Sequence, residues 1–170
     1  MRSNAVLDEA FTRIPGVVRR TLDDIDPAAL TWRVEPGANT IGWLVWHLTR
    51  IQDDHVAELA ETDQVWLAED WARRFGLSEA TPETGYGHTH EQVSAIRPDG
   101  ADALLGYLDR VTERTRDFLT TIGDDDLDRV VDRSWDPPVT MGVRLVSVIG
   151  DNLQHAGQAA YLRGVYDRTR

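Results

Sequence analysis

The chain has 170 residues and a net charge of −11, contains no cysteine, and has arginine at all 18 of its basic positions. The negative charge argues against a general nucleic-acid binder, because such proteins gain much of their affinity by neutralising phosphates. Without cysteine the chain forms no disulfide, offers no thiol nucleophile and holds no cysteine-ligated zinc. Any metal site must therefore use histidine, aspartate or glutamate.

The sequence shows no signal for a membrane or for secretion. No apolar run approaches the roughly 18 residues that a membrane span requires. The N-terminal stretch MRSNAVLDEAFTR is acidic and amphipathic, whereas a signal peptide carries an apolar block. We therefore expect a cytoplasmic protein, with no membrane partner, that forms one domain over residues 1–170.

Four long segments show the periodicity of helices, and no segment predicts a strand. In the first helix Ser3 is the expected N-cap, and the helix should end near Asp24. Pro15 and Gly16 are expected to kink or split it, since proline lacks the backbone N–H that a helix interior uses. The predicted inward residues are Val6, Ala10, Ile14 and Val17.

The second helix is predicted to begin at Asn39 or Thr40 and to end near Glu61. One broad face of this helix is expected to pack against its neighbours. That face contains Ile41, Leu44, Val45, Leu48, Ile51, His55, Val56 and Leu59.

The third helix is expected between Asp99 and Gly123, and the fourth between Thr140 as N-cap and Gly164. The inward residues of the third are Leu104, Leu108, Val111, Phe118 and Leu119. Helices of about 20 residues span about 30 Å, the usual length of a bundle helix. The sequence therefore predicts an all-α four-helix bundle.

The connection between the second and third helices, residues 62–100, is too long to be structureless within a compact domain. It should contain one short helix around 66–75 and another that begins at Thr89, where Thr-x-x-Gln resembles a capping box. We expect this insertion to fold over one end of the bundle. Its aromatic residues either roof a pocket or simply pack on the bundle: Trp66, Trp71, Phe75 and Tyr86.

Two ionisable residues stand one turn apart on the fourth helix. Asp151 and His155 share a face because positions i and i+4 are neighbours on a helix surface. Val148, Ala159 and Leu162 lie on the same stripe, so we expect this face to point at the bundle interior. An unpaired carboxylate there would cost several kcal/mol or become protonated. Asp151 therefore needs a partner.

That partner is either an arginine or a metal ion. Arg144 and Arg163 on the same helix, or Arg50 and Arg114 elsewhere, could supply a salt bridge. A divalent metal could instead bind Asp151 and His155, with His47 of the second helix as third ligand. Such a set leaves coordination positions open, as in catalytic zinc and non-haem iron sites.

The other histidines have no single interpretation from the sequence. His55 is rotated by about 80° from His47 around the helix, and it could be a fourth ligand, a group that supports a ligand, or a rim residue. His88 and His90 alternate within GYGHTHEQ, as exposed turn residues or as a metal-binding pair. The serines lie in no recognisable nucleophile motif.

Three stretches together carry a family resemblance that covers nearly the whole chain. They are TIGWLVWHLTRIQDDH (40–55), the insertion with QVWLAEDWARRFGL and TGYGHTHEQVSAIR, and MGVRLVSVIGDNLQHAGQAAYLRG (141–164). The chain resembles the DinB-like superfamily of metal-binding four-helix bundles. Within it, the chain is most similar to the actinobacterial branch related to the mycothiol-dependent maleylpyruvate isomerase metal-binding domain and the mycothiol S-transferases.

The resemblance implies a divalent metal, zinc or nickel, held by His47, Asp151 and His155, although many members have histidine at the position of Asp151. It also implies a low-molecular-weight thiol such as mycothiol as cofactor, a small electrophile as substrate, and a homodimer. A metal-bound thiol is deprotonated, which fits a chain without cysteine. Gln158 and Arg163 are candidates for orienting the cofactor or substrate.

The implied function is a metal-dependent thiol S-transferase or isomerase. Two alternatives stay open at this stage: a metal-dependent hydrolase that activates water, and a non-catalytic metal-binding or small-molecule-binding protein of a stress response. A chain in which an arginine has replaced the metal beside Asp151 is a further alternative.

Overall fold

Four long helices form the body of the protein, and a computed structural model describes residues 2–169. The helices are α1 (Ser3–Leu22), α2 (Ile41–Ala60), α3 (Val65–Ala68), α4 (His90–Ala95), α5 (Ala101–Thr121), α6 (Asp124–Leu127) and α7 (Met141–Arg168). Helices α1 and α2 each pack against both α5 and α7. The predicted all-α four-helix bundle is therefore confirmed, with α1 and α2 on one diagonal and α5 and α7 on the other.

Helix α1 differs from its prediction in three ways. It begins at Ser3, so Arg2 occupies the N-cap position, and it continues without a break through Pro15. Its inward residues are Leu7, Phe11, Ile14, Val18, Thr21 and Leu22, whereas Val6 is 52% exposed. The larger side chains of Leu7 and Phe11 bury more apolar surface than Val6 and Ala10, which selects this rotation of the helix.

Helix α2 has the predicted bounds. The hydroxyl of Thr40 accepts a hydrogen bond from the backbone N–H of Trp43 at 3.1 Å and caps the helix, as serine and threonine commonly do. Nearly every turn of α2 is buried. Its burial follows from its position, because α5, α7 and part of the insertion all pack on it.

Helix α7 begins as predicted after Thr140 but continues beyond Gly164 to Arg168. Two contacts hold the extra turn. Arg163 and Asp167 form an ion pair at 2.8 Å along the helix, and Tyr166 is buried edge-on against Trp32 at 5.4 Å between ring centroids. Tertiary packing here outweighs the cost of a glycine inside a helix, about 1 kcal/mol relative to alanine.

A short antiparallel hairpin precedes α7, although the sequence predicted no strand. Its strands are β1 (Val130–Asp132) and β2 (Val139–Thr140). They are too short to show an alternating pattern, which explains why they were missed. Arg144 of α7 holds the hairpin through a 3.1 Å ion pair with Asp132.

The insertion, residues 62–100, contains less helix than predicted. The expected helix at 66–75 is instead α3 followed by a 3₁₀ turn (Ala72–Phe75), while the capping box at Thr89 does begin α4. Trp66 and Phe75 are buried against Tyr107 of α5, so these two aromatics pack on the bundle. Tyr86 is 92% exposed. None of the helices in residues 2–169 has the length and apolar character that crossing a membrane would require.

Candidate metal centre

Three residues from two neighbouring helices meet on one side of the bundle. His47 is buried on α2, and Asp151 and His155 lie on consecutive turns of α7. One ligand-type atom from each residue lies within 4.8 Å of the other two. Nε2 of His155 lies 3.5 Å from Oδ1 of Asp151. Two ligands of a tetrahedral ion at about 2.0–2.2 Å are separated by about 3.3–3.6 Å, so this pair already has a suitable spacing.

Asp151 lies at the edge of the helix interface, which corrects the prediction that its face points into the interior. From Val148 to Ala159, the buried positions of α7 are Val148, Asn152, Ala156 and Ala159, whereas the side chain of Asp151 remains 37% exposed. One of its oxygens, Oδ2, is nevertheless buried and has no hydrogen-bond partner among residues 2–169. A buried anionic oxygen without a donor is costly, and a cation would satisfy it.

None of the four arginines proposed as partners for Asp151 forms an ion pair with it among residues 2–169. Arg144 contacts His55, Glu58 and Asp132. Arg50 contacts Asp53, and Arg163 contacts Asp167. Within the described part of the chain, the only ionisable basic group within 4.0 Å of the Asp151 carboxylate is His155, so Arg114 does not pair with it either. The alternative of an arginine in place of a metal is therefore contradicted.

The two imidazoles of the group both direct Nδ1 away from it. Nδ1 of His47 lies 2.5 Å from the carbonyl oxygen of Thr84, and Nδ1 of His155 lies 2.8 Å from Oε1 of Gln158. These oxygens can only accept, so each Nδ1 carries the proton and donates it. The neutral His47 ring therefore keeps its lone pair on Nε2, the form in which histidine binds a metal. Nε2 of His155 faces the Asp151 carboxylate and shares a proton with it in the metal-free protein, and a bound metal ion would displace that proton.

The other two partly buried histidines have the opposite arrangement. Nδ1 of His55 accepts from Arg144 at 2.9 Å, and Nδ1 of His88 accepts from the indole N–H of Trp43 at 3.2 Å. Burial lowers the pKa of both imidazoles. Their neutral forms then carry the proton on Nε2, and neither ring belongs to the three-residue group. His90 is exposed at the start of α4.

Two elements enclose His47: Trp43 of α2 itself and, beyond what the sequence predicted, the backbone of the insertion at Gly85. Trp43 stacks on the His47 ring with 4.6 Å between centroids. A Cβ atom on Gly85 would lie 2.9 Å from Nδ1 of His47 and 2.9 Å from Trp46, and the φ of Gly85 is +99°. Only glycine fits this conformation and this approach. The first glycine in TGYG was the sequence feature that could have predicted this close approach to His47. No sequence feature predicts the role of the Thr84 carbonyl.

Gln158 and Arg163 have different positions relative to the group. Gln158 contacts it through Nδ1 of His155. Arg163 donates instead to the backbone carbonyl oxygens of Thr21 and Asp23, at the C-terminal end of α1, in addition to its pair with Asp167. The structure therefore brings Gln158 to the site and leaves Arg163 at the junction between α1 and α7.

The pKa values of the group reflect its mixed environment. Burial lowers the pKa of His47, although the hydrogen bond to Thr84 partly opposes this effect. The hydrogen bond with Asp151 raises the pKa of His155. Burial alone would raise the pKa of Asp151, but the hydrogen bond and charge of His155, with smaller effects of His47 and His55, lower it.

Comparison with known proteins assigns the chain to a family. The family model described as Mycothiol-S-transferase matches residues 6–168. The chain belongs to the mycothiol S-transferase family. A comparison with curated proteins found no match to this mycothiol S-transferase family chain. It is similar to a solved structure of a conserved protein from Enterococcus faecalis, with 31% sequence identity, a TM-score of 0.88 and coverage of 96% of each chain.

The Asp151–His155 pair makes a testable prediction for the metal-free protein. Because Asp151 raises the pKa of His155, the pair stabilises the fold fully below a pH of about 6.5 for as long as Asp151 stays ionised, and this contribution is lost as the pH rises through the raised pKa. Asp151→Asn should lower the pKa of His155 in an NMR titration of the imidazole Cε1–H signal. Asp167→Asn removes an acid about three turns from His155 on the same helix and should leave the pKa of His155 unchanged. An unaltered His155 titration in Asp151→Asn would contradict the pairing.

Proposed function

We propose that this protein is a divalent-metal-dependent enzyme that transfers a low-molecular-weight thiol of the mycothiol type to a small electrophile, as an S-transferase or as a thiol-dependent isomerase. One observation carries the proposal. The buried, unpartnered Oδ2 of Asp151 lies beside two imidazoles that direct Nδ1 to acceptors outside the group and so leave Nε2 for a metal, in a member of the mycothiol S-transferase family.

The donor set fits the metal. His47, Asp151 and His155 would hold a divalent ion, zinc or nickel, and three protein ligands leave at least one coordination position open. When bound, the ion would lower the pKa of a coordinated thiol, so that the thiolate is available at neutral pH. The chain has no cysteine, so this thiol must come from solution.

The protein's own residues orient the ligands and shape the space beside them. The Thr84 carbonyl and Gln158 fix the two imidazole rings, and Trp43 excludes water from one face of His47. A groove of about 450 Å³ begins at Gln158 and is mostly apolar, with Leu44, Tyr161 and Leu162 among its lining residues. We assign the electrophile to this groove, because apolar surface with two side-chain amides, those of Asn39 and Gln158, suits a small organic substrate.

Charge also favours a thiolate. A divalent ion with a single carboxylate ligand leaves the site with one net positive charge, whereas the chain as a whole carries −11. An anionic sulfur would then be attracted locally, although the remainder of the protein repels it. In the transfer, the thiolate sulfur forms a bond to the electrophilic carbon, and the leaving group departs with the bonding electrons.

Two other functions remain as alternatives. The same open position could activate water for hydrolysis, since the pKa of zinc-bound water falls to about 7. A non-catalytic metal-binding protein of a stress response would instead need a closed coordination shell. The three-residue group within residues 2–169 argues against a closed shell.

Metal binding is predicted to depend on the α7 pair. Wild-type protein purified without chelators should contain about one divalent ion per chain, and Asp151→Ala and His155→Ala should lose most of it, because each removes one of three ligands. Elemental analysis by mass spectrometry measures this directly. His55→Gln is the matched control, because this histidine lies outside the group, and should retain its metal. Wild-type protein with no more metal than the two alanine variants would refute the site.

Turnover is predicted to require thiol. With zinc-loaded protein and an activated aryl chloride, product should form only when mycothiol is added, and one thiol should be consumed for each chloride released. Asp151→Ala should reduce this rate at least tenfold, in line with the loss of a ligand or its support. Product formation at the same rate without thiol, with water incorporated, would favour the hydrolase.

We also propose that the protein is a homodimer that pairs through α7. Between Val143 and Tyr161 the exposed positions of α7 carry no charged residue. This outer face presents Val146, Gly150, Leu153, Gly157 and Tyr161 at spacings of three and four, and its last two residues also line the groove, so the partner helix would close one side of it. A Cβ on either glycine would meet nothing within 4 Å, so the chain's own packing does not require them. Small residues at such spacings would let a second helix approach closely.

Light scattering should therefore show a dimer for wild-type protein. Leu153→Glu should give a monomer, because it places a charge at the centre of this face. Val6→Glu changes an exposed apolar residue on α1 and should leave the dimer intact. A monomeric wild type, or a dimer that survives Leu153→Glu, would rule out this interface.

A further inference from the structure

Arg50 is a charged residue that is completely buried within the bundle, with 0% exposure. It lies on α2, three residues after His47 and therefore on the same side of the helix. A buried guanidinium is costly unless its N–H groups are paired. Its acceptors are Asp53, Tyr107, Gln64 and the backbone carbonyls of Pro82 and Glu83.

The distances show which of these contacts Arg50 serves most directly. Its shortest hydrogen bond, 2.8 Å, goes to Oε1 of Gln64. Those to the carbonyl oxygens of Pro82 and Glu83 are both 3.2 Å, whereas its contact with Asp53 is the longest, at 3.4 Å. Asp53 has closer donors of its own. The backbone N–H groups of Val65 and Trp66 lie 2.9 and 2.8 Å from its oxygens, and the Tyr107 hydroxyl lies 2.7 Å away. Neutralising Asp53 is therefore not the whole role of Arg50.

The two carbonyls that Arg50 holds immediately precede the carbonyl that holds His47. Residues 82–84 form no helix or strand, so their carbonyl directions depend on contacts with side chains. Arg50 binds Pro82 and Glu83, and the next carbonyl, that of Thr84, accepts from Nδ1 of His47 at 2.5 Å. Gly85 then presses directly against the His47 ring. The Arg50 guanidinium thus orients the backbone of residues 82–84, and the Thr84 carbonyl in turn orients the His47 imidazole.

We propose that Arg50 is a positioning residue for the metal ligand His47, acting through the backbone of residues 82–84. It keeps the Thr84 carbonyl at Nδ1 of His47, which holds the ring in the tautomer with its lone pair on Nε2. The link to metal binding rests on the proposed function, whereas the link to the tautomer does not. Buried polar groups that orient metal-bound histidines typically change metal affinity by about 10–100-fold when they are mutated.

The first test uses the metal-free protein. Long-range ¹H–¹⁵N NMR should show His47 of the wild type as the Nδ1–H tautomer, and Arg50→Lys should shift it to a mixture. Lysine keeps the charge beside Asp53 but cannot span the two carbonyls with a fork of donors. Tyr107→Phe is the matched control. It removes two hydrogen bonds from the same buried cluster, one from Arg50 and one to Asp53, but leaves the donors of Arg50 to residues 82–84 in place, and it should keep the wild-type tautomer.

A second pair of variants protects the test against misfolding. The double variant Arg50→Gln with Asp53→Asn removes both charges together and so avoids an unpaired buried charge. It should lose the Nδ1–H tautomer, whereas Asp53→Asn alone should retain it. Circular dichroism on each variant verifies that the helices are intact. A folded Arg50 variant with an unchanged His47 tautomer, or a Tyr107→Phe variant that loses it, would overturn the proposal.

The second test measures zinc affinity by competition with a chelator. Arg50→Lys should weaken zinc binding by about 10–100-fold, and Tyr107→Phe should change it less than about twofold. If the wild type binds no zinc but the tautomer shifts as expected, the proposed function fails and the positioning role stands. If the wild type binds zinc and the folded Arg50→Lys variant binds it equally well, the positioning role fails and the proposed function stands.

Discussion

The hydrogen bond from Nδ1 of His47 to the Thr84 carbonyl is the interaction on which the candidate site depends. A carbonyl accepts and never donates, so this contact fixes both the ring orientation and the location of the lone pair. Gln158 does the same for His155. The two Nε2 atoms and the unpartnered oxygen of Asp151 then provide the donors that a divalent cation needs, once the cation displaces the proton that His155 shares with Asp151. Without these acceptors, the same residues would form an ordinary polar cluster.

The bundle supplies rigidity to one ligand and access to the others. Helix α2 is buried by its neighbours and by the insertion, so His47 has little freedom. Helix α7 carries Asp151 and His155 at the edge of its packed face, where small molecules can reach them. The insertion contributes through backbone as well as side chains, because it brings the Thr84 carbonyl and Gly85 against His47. The absence of cysteine fits this division, since the reactive sulfur would arrive from solution.

Much of this arrangement could be predicted from the sequence, and the failures have physical causes. The Thr40 cap set the start of α2 correctly, and the spacing of Asp151 and His155 placed them together on α7. The depth of Asp151 was misjudged, because adjacent positions on a helix differ by about 100° and the packing of Asn152 decides the rotation. The extension of α7 depends on the distant Trp32. The Thr84 carbonyl could not be predicted, since every residue has one.

The most direct test of the central claim is anomalous diffraction at the zinc edge from crystals grown with zinc. We expect one peak per chain between α2 and α7, bonded to Nε2 of His47, Nε2 of His155 and a carboxylate oxygen of Asp151. A peak elsewhere on the protein, coordination through Nδ1 of either histidine, or an arginine against Asp151 in place of the ion would contradict the claim.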